Sequence, residues 1–415
     1  MKKKSNSQRS VVTIFIITFL ILFLSKCIDK GKEQDDLITN RSGKQFAGSI
    51  TCANCHKEIY DSYLHTAHYL TSQPALEKYI KGSFEPGNNS FDYGNNKVVT
   101  MEKRNNSFYQ VEYDNGIEKI AHRFDIVIGS GAKGQSFITN NHNQLFQLPV
   151  TYFTAANQWS NSPGYPNKII FNRPITSRCL ECHSTFAKPM STPDITPEKF
   201  DPTKIIYGIS CEKCHGPSAE HVAFQTQNPN VKTARYIINP SKLNRQQNLD
   251  FCASCHGGRL KKTRPSFEFT IGDTLANYFA MDTTTPNPNT IDVHGNQYGL
   301  LRSSKCFKMS TTMTCNTCHN QHDKERGNTV IFSQRCITCH QNSNHQTICK
   351  LSNTYGAIIK QDCISCHMPL KSSKAIAVFL PGNSTPTAAL IRSHLISIYP
   401  EETKKVIALL KKVNN

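Results

Sequence analysis

Thr51–His68 reads TCANCHKEIYDSYLHTAH, two cysteines and three histidines in eighteen residues, and it opens with Cys52-Ala-Asn-Cys55-His56. Cysteines at i and i+3 followed at once by histidine are the attachment signature of a c-type haem. The chemistry explains the spacing: the two thiols add across the vinyl groups of the macrocycle as thioethers, and the adjacent imidazole lies under the iron as proximal ligand. The pattern recurs at Cys179/Cys182/His183, Cys211/Cys214/His215, Cys252/Cys255/His256, Cys315/Cys318/His319, Cys336/Cys339/His340 and Cys363/Cys366/His367, seven copies in all. With 17 cysteines and 16 histidines among 415 residues, chance predicts about 0.03 such matches. Repeated C-x-x-C pairs also build tetrahedral zinc sites or, in exported chains, disulfide frameworks. Neither needs a histidine directly after every second cysteine. The expected cofactors are therefore seven c-type haems with their irons, which leaves Cys27, Cys306 and Cys349 unassigned.

The N-terminus agrees with that chemistry. Lys2, Lys3, Lys4 and Arg9 precede an apolar run from Val11 to Leu24, which is short for a bilayer-spanning helix and has the composition of an export signal, residues 1–26. Leu24-Ser25-Lys26-Cys27 resembles a bacterial lipoprotein processing site with Cys27 as the lipidated residue, although Lys26 departs from the small residue preferred there. A plain cleaved signal and an uncleaved anchor are the alternatives. Residues 27–48 are polar and read as a tether. The expected location is exported, periplasmic or at the cell surface, lipid-anchored to a membrane.

A formal net charge of +18 would ordinarily point to nucleic acid or an anionic surface. Export disfavours nucleic acid, and seven haems bring up to fourteen propionate charges for Lys and Arg to pair with. A chain of 389 residues, 27 to 415, has a radius of gyration of about 21 Å when compact. Seven macrocycles in that volume lie close enough for electrons to pass between them.

The motifs are unevenly spread. Residues 49–84 form a first haem segment and 179–398 hold the other six motifs. Between them, 85–178 is a haem-free insert rich in β-branched and aromatic residues: KVVTMEKR, SFYQVEYD, IEKIAHRFDIVIG and QLFQLPVTYF. Asp114-Asn115-Gly116 is a hairpin signal between two of these runs. Gly129-Ser-Gly-Ala-Lys-Gly134 matches G-x-G-x-x-G, but no acidic residue occurs from Ile126 to Leu180 and no helical pattern follows, so it reads as a hairpin turn and not a dinucleotide site. Residues 399–415 predict a C-terminal helix with Val406, Ala408, Leu409 and Leu410 towards its buried face. The expected fold is mainly α with much irregular structure around a haem-packed core, and a small antiparallel β subdomain between the first and second motifs.

Nine histidines remain as candidates for the sixth coordination positions. A second axial histidine suits electron transfer, whereas an open position admits a substrate. His122 and His142 lie in the insert and read as ordinary surface histidines. His294 followed by SSKCFKMSTTMTCNTCHNQH, with His322 three residues after His319, resembles the corresponding region of multihaem cytochromes related to hydroxylamine oxidoreductase and octahaem tetrathionate reductase. CEKCHGPSAEH, ending in His221, and ISCHMPL followed by His394 are similar to further elements of that group. C-x-x-C-H followed by IYDSYLHTAH resembles the opening of tetrahaem and octahaem carriers of nitrogen metabolism. The resemblance implies that His68, His221, His294, His322 and His394 are distal ligands, with His65 and His345 as further candidates.

Two functions follow. One is a mostly bis-histidine electron carrier linking redox partner proteins or quinol-linked membrane donors to an acceptor. The other is an oxidoreductase acting on a small nitrogen or sulfur oxyanion, or a hydroxylamine-type substrate, at one open haem. Every motif ends in histidine, unlike the lysine-ended catalytic motif of pentahaem nitrite reductases, which the chain resembles only in haem density. The carrier is the favoured reading.

Overall fold

The computed structural model describes residues 37–190, 197–280, 287–340 and 349–413. Cys27, the export signal and His345 lie outside the described residues.

The insert folds as two antiparallel sheets. Strands β2 (Ser90–Asp92), β3 (Lys97–Arg104), β4 (Ser107–Asp114) and β5 (Ile117–Arg123) form a four-stranded sheet in sequential order. The β4–β5 turn is the anticipated one: Asn115 and Gly116 have φ of 51° and 75°, the left-handed pair that matches the twist of a two-residue hairpin. A seven-stranded sheet has the path β1 (Ser72–Pro74), β6 (Ile126–Ile128), β7 (Gly134–Asn141), β8 (Gln144–Gln147), β11 (Arg173–Pro174). Strand β9 (Val150–Phe153) also pairs with β7, and β10 (Gln158–Asn161) pairs with β9. The glycine-rich stretch 129–134 joins antiparallel β6 and β7, so it is a hairpin turn.

Alternating apolar residues bury one continuous core here. Phe91, Val99, Met101, Phe108, Phe137 and Trp159 belong to it, and the Trp159 indole N–H donates to the Ser83 carbonyl at 2.8 Å. A second core joins this sheet to the motif region: Ile126, Ile138 and Leu145 pack with Leu180, Phe186, Phe200 and Phe267.

The expectation of a mainly α fold is corrected by the structure. Helix and strand are near parity, at 31% and 26%, and strands are not confined to the insert. Among the motifs lie two further hairpins, β12 (Ser184–Pro189) with β13 (Phe200–Tyr207), and β16 (Leu370–Val378) with β17 (Thr387–Arg392), besides a short pair, β14 (Lys261–Lys262) with β15 (Phe279–Ala280). The fold is mixed α and β with several antiparallel sheets. The hairpin β12–β13 continues directly from the helix Ser177–His183 that carries the second motif, and it is held by the second core.

The C-terminal helix spans Pro400–Val413. Its half-buried edge is Thr403, Val406, Ile407 and Leu410, at i, i+3, i+4 and i+7, while Ala408 and Leu409 are exposed, which corrects the face read from the sequence. No helix among the described residues is long and apolar enough to cross a membrane.

Candidate functional site

Five motifs sit in the last turn of a helix ending at the motif histidine: Ser177–His183, Cys211–His215, Arg245–His256, Thr329–His340 and Cys363–His367. Residues at i, i+3 and i+4 share one helix face, so the two thiols and the imidazole are presented together. Local capping fixes where these helices begin. Asn244 and Gln247 form a reciprocal capping box before the fourth motif, and Asp362 accepts the Ser365 N–H at 3.1 Å before the seventh. The first motif bridges two short helices, Ser49–Cys52 and Lys57–Tyr63, and the fifth begins in a 3-10 turn, Cys315–Thr317.

No disulfide joins any of the sixteen described cysteines. Sulfurs of different motifs neighbour one another: Cys52 lies beside Cys211, Cys182 beside Cys255, and Cys252 beside Cys315. The sixth motif touches both neighbours, through Ser333 Oγ accepting the Cys363 N–H at 2.9 Å and Arg335 donating to the Cys318 carbonyl at 2.7 Å. Five contacts thus tie the motifs to one another.

The two cysteines of the sixth motif differ in exposure: Cys339 is exposed and Cys336 half-buried. The cause is position on the helix. Cys339 lies in the final turn of Thr329–His340, whereas Cys336, one turn earlier, faces Cys363, Cys318 and Cys306. Cys55 and Cys179 are likewise exposed beside half-buried Cys52 and Cys182. A sulfur open to solvent is compatible with attachment, because the macrocycle bonded to it would supply the missing cover.

Three pairs of imidazoles stand out. The ring centroids of His68 and His256 are 6.3 Å apart, those of His215 and His322 are 6.2 Å apart, and those of His319 and His394 are 6.0 Å apart. An imidazole nitrogen lies about 2 Å from a bound first-row metal and about 1.1 Å from its own ring centre, so two imidazoles across one metal have centroids about 6.2 Å apart. Each pair joins one motif histidine to one candidate distal histidine. A fourth association, between the half-buried His183 and His294, is electrostatic: burial chiefly lowers the proton affinity of His183, and the His294 ring adds to it.

The surroundings suit iron ligation. His215 Nδ1 lies 2.9 Å from the Ile238 carbonyl, His221 Nδ1 2.8 Å from the Arg235 carbonyl and His367 Nδ1 2.8 Å from the Ser397 carbonyl. A carbonyl only accepts, so Nδ1 carries the hydrogen and the Nε2 lone pair is left for a metal. Burial pushes the imidazoles of His68, His183 and His394 down to about 4, which keeps them neutral, the form that ligates. The residues present fit c-type haem: the cysteines of each motif would hold the macrocycle, the paired imidazoles the iron, and the iron would supply reversible one-electron chemistry.

His65 is exposed beside the first motif, and His221 lies on the helix Ala219–Gln227 close to His215. His142 is exposed in a tight turn with φ of 50°. His122 is not a surface histidine: its ring stacks at 4.5 Å on Phe171, which packs against the first core, and it is half-buried.

Sequence reasoning missed three buried or half-buried acids that hold the motifs in place. Glu212, inside the third motif, accepts N–H groups from Ala47, Gly48 and Ser218. Glu181, inside the second, accepts from Lys262, Arg178 and the Phe267 N–H. Asp292 accepts the His294 N–H at 2.6 Å, the Ser373 hydroxyl at 3.1 Å and the Lys374 N–H. The available signal was the rarity of acids near the motifs.

Residues 155–216, which include the second and third motifs, match the cytochrome c554 and c-prime family. Across 87% of this chain and 81% of the other, the fold is similar to the crystal structure of Outer Cell Wall Cytochrome OcwA, with a TM-score of 0.53 and 16% sequence identity. No curated protein sequence matches this one. The family match is confined to residues 155–216 and the solved structure shows a shared fold; with the repeated motif they agree with a multihaem c-type cytochrome.

Proposed function

We propose that this chain carries electrons through seven covalently attached haems, most of them closed by two histidines, between redox partners outside the cytoplasm. The observation that carries the reading is the three imidazole pairs at 6.0 to 6.3 Å. In this reading His68 closes the haem of the fourth motif, His322 that of the third and His394 that of the fifth. His294 closes the second by the same logic. A bis-histidine iron has no room for substrate, so these haems exchange electrons and do not perform bond chemistry. The contacts between motifs fall into two groups, the first motif with the third, and the second through the fourth, fifth and sixth to the seventh; Lys213 of the third motif, which donates to the Thr185 carbonyl and interacts with Glu181 of the second, supports joining them into one path.

Export, with Cys27 as a lipid anchor, is part of the proposal. The likeness to an outer cell wall cytochrome supports a surface location, where such a carrier would meet its partner proteins.

Electron paramagnetic resonance of the oxidised, purified protein tests the proposal, together with the intact mass. The expected result is a mass increase of seven haems and exclusively low-spin ferric signals. A high-spin haem as a stoichiometric component would overturn the carrier reading in favour of an enzyme with an open site.

A further inference from the structure

A buried charge cluster lies where the second, third and fourth motifs meet. Glu181, 5% exposed, is the residue before Cys182. Lys262 donates to its Oε1 and Oε2 at 2.7 and 2.9 Å, and Arg178 to Oε2 at 2.9 Å. Arg178 also reaches the Cys182 sulfur at 3.3 Å and the Ser254 carbonyl, one residue before Cys255, at 3.1 Å. Both cations lie over the Phe279 ring, at 5.1 and 4.4 Å. Lys213, within the third motif, is a third cation: it donates to the Thr185 carbonyl at 3.3 Å, sits over Phe267 at 5.1 Å and interacts with Glu181.

Three cations face Glu181. Even with Glu198, which accepts the Ser177 N–H at 3.0 Å, these five protein side chains sum to +1, haem propionates not counted. The lysine is only 15% exposed in its side chain, so solvent screens this excess far less than it would on the surface. A haem gains one electron on reduction, and fixed positive charge beside it favours the reduced form.

We infer that the Arg178–Glu181–Lys262–Lys213 cluster raises the reduction potential of the haems attached at Cys179/Cys182 and Cys252/Cys255, so that electrons collect at this junction. The inference rests on the haem reading above and adds a direction to the path.

The test is a spectroelectrochemical redox titration of the full-length, haem-loaded protein and of two variants of opposite sign. Lys262→Gln should move the highest-potential components downward, Glu181→Gln should move the same components upward, and Lys262→Arg should leave them in place. Variants that shift in the same direction, shift only the lowest-potential components, or leave every component unmoved overturn the inference. A merely structural role for the cluster predicts loss of folded protein in both variants without opposite shifts, and that result overturns it too. Failure of the underlying haem reading is distinguishable, because the unmodified protein would then show no haem mass.

Discussion

The Glu212 carboxylate, inside the third motif, accepts the Gly48 N–H at 2.9 Å, four residues before Cys52 of the first motif. Its other oxygen accepts the Ala47 N–H at 2.7 Å and the Ser218 N–H at 2.9 Å. A side chain that is 3% exposed therefore pins the entry to one attachment site onto another, far along the chain. Glu212→Ala leaves those N–H groups without their acceptor, and removing one side of a buried charged network costs about 3 kcal/mol. Urea unfolding of the variant should show a midpoint lowered accordingly with an unchanged slope; an unchanged midpoint would sink the idea.

The imidazole pairs make a spectroscopic prediction. Replacing His68, His322 or His394 singly by alanine should convert one haem each from low spin to high spin, read as a new high-spin ferric signal. His142→Ala and His122→Ala should leave the spectrum as it is, since neither ring belongs to a pair. Retention of a fully low-spin spectrum in His322→Ala would remove its assignment.

Asp292 positions His294 without itself approaching a metal. Its carboxylate joins the His294 backbone to Ser373 and Lys374 on β16. Asp292→Ala should broaden the low-spin signal of one haem or make part of it high-spin, and Ser373→Ala should do so more weakly. Identical spectra in both variants would show that the loop holds itself.

Gly208 lets two segments of the chain cross. Its φ is +67°, and a Cβ there would lie 2.4 Å from the Tyr69 carbonyl oxygen, while the Ile209 N–H donates to the His68 carbonyl at 2.8 Å. Gly208→Ala meets backbone and not a flexible side chain, at a cost of about 2–4 kcal/mol. Thermal unfolding should fall markedly, and the haem closed by His68 should lose low-spin character first.

Acid stability carries one identifiable contribution. The Arg335 guanidinium beside Glu325 holds its carboxyl below the usual carboxylate range, with burial opposing. A carboxylate depressed in the folded state contributes stability above its unfolded value and loses it as pH falls through the folded one. Glu325→Gln should flatten the acid limb of a stability–pH profile, measured by urea unfolding at a series of pH values.

Much of the site was legible because its chemistry is local. Three residues within five positions specify an attachment site, and Asn115-Gly116 specifies a hairpin, each by short-range geometry. The pairing of His68 with His256 joins segments far apart in the chain, and nothing local encodes it. Nor does the motif say which of its sulfurs is covered: Cys336 and Cys339 read alike, and only the neighbouring motifs decide that one is half-buried and the other open. The strands among the motifs were hidden for a different reason. LKSSKAIAV of β16 is polar for half its length, so its period of two shows only against Thr387–Arg392, its partner. The C-terminal helix was recognised by its pattern, but its buried edge was misjudged because Leu409 is apolar and still faces outward. The acids Glu181, Glu212 and Asp292 carry no signature of their own, since many of their partners are backbone amides from distant segments.

The two halves of the fold differ in how they could come to be assembled. Trp159, Phe137 and Phe91 are enclosed by protein alone, whereas the cores next to the fourth motif are groups of three buried residues, Leu249, Leu301 and Phe307 in one and Ala253, Leu275 and Phe279 in the other. The polypeptide therefore has one part able to collapse on its own side chains and another with little apolar interior of its own, so the β sheets would act as the jig on which the motif region is mounted.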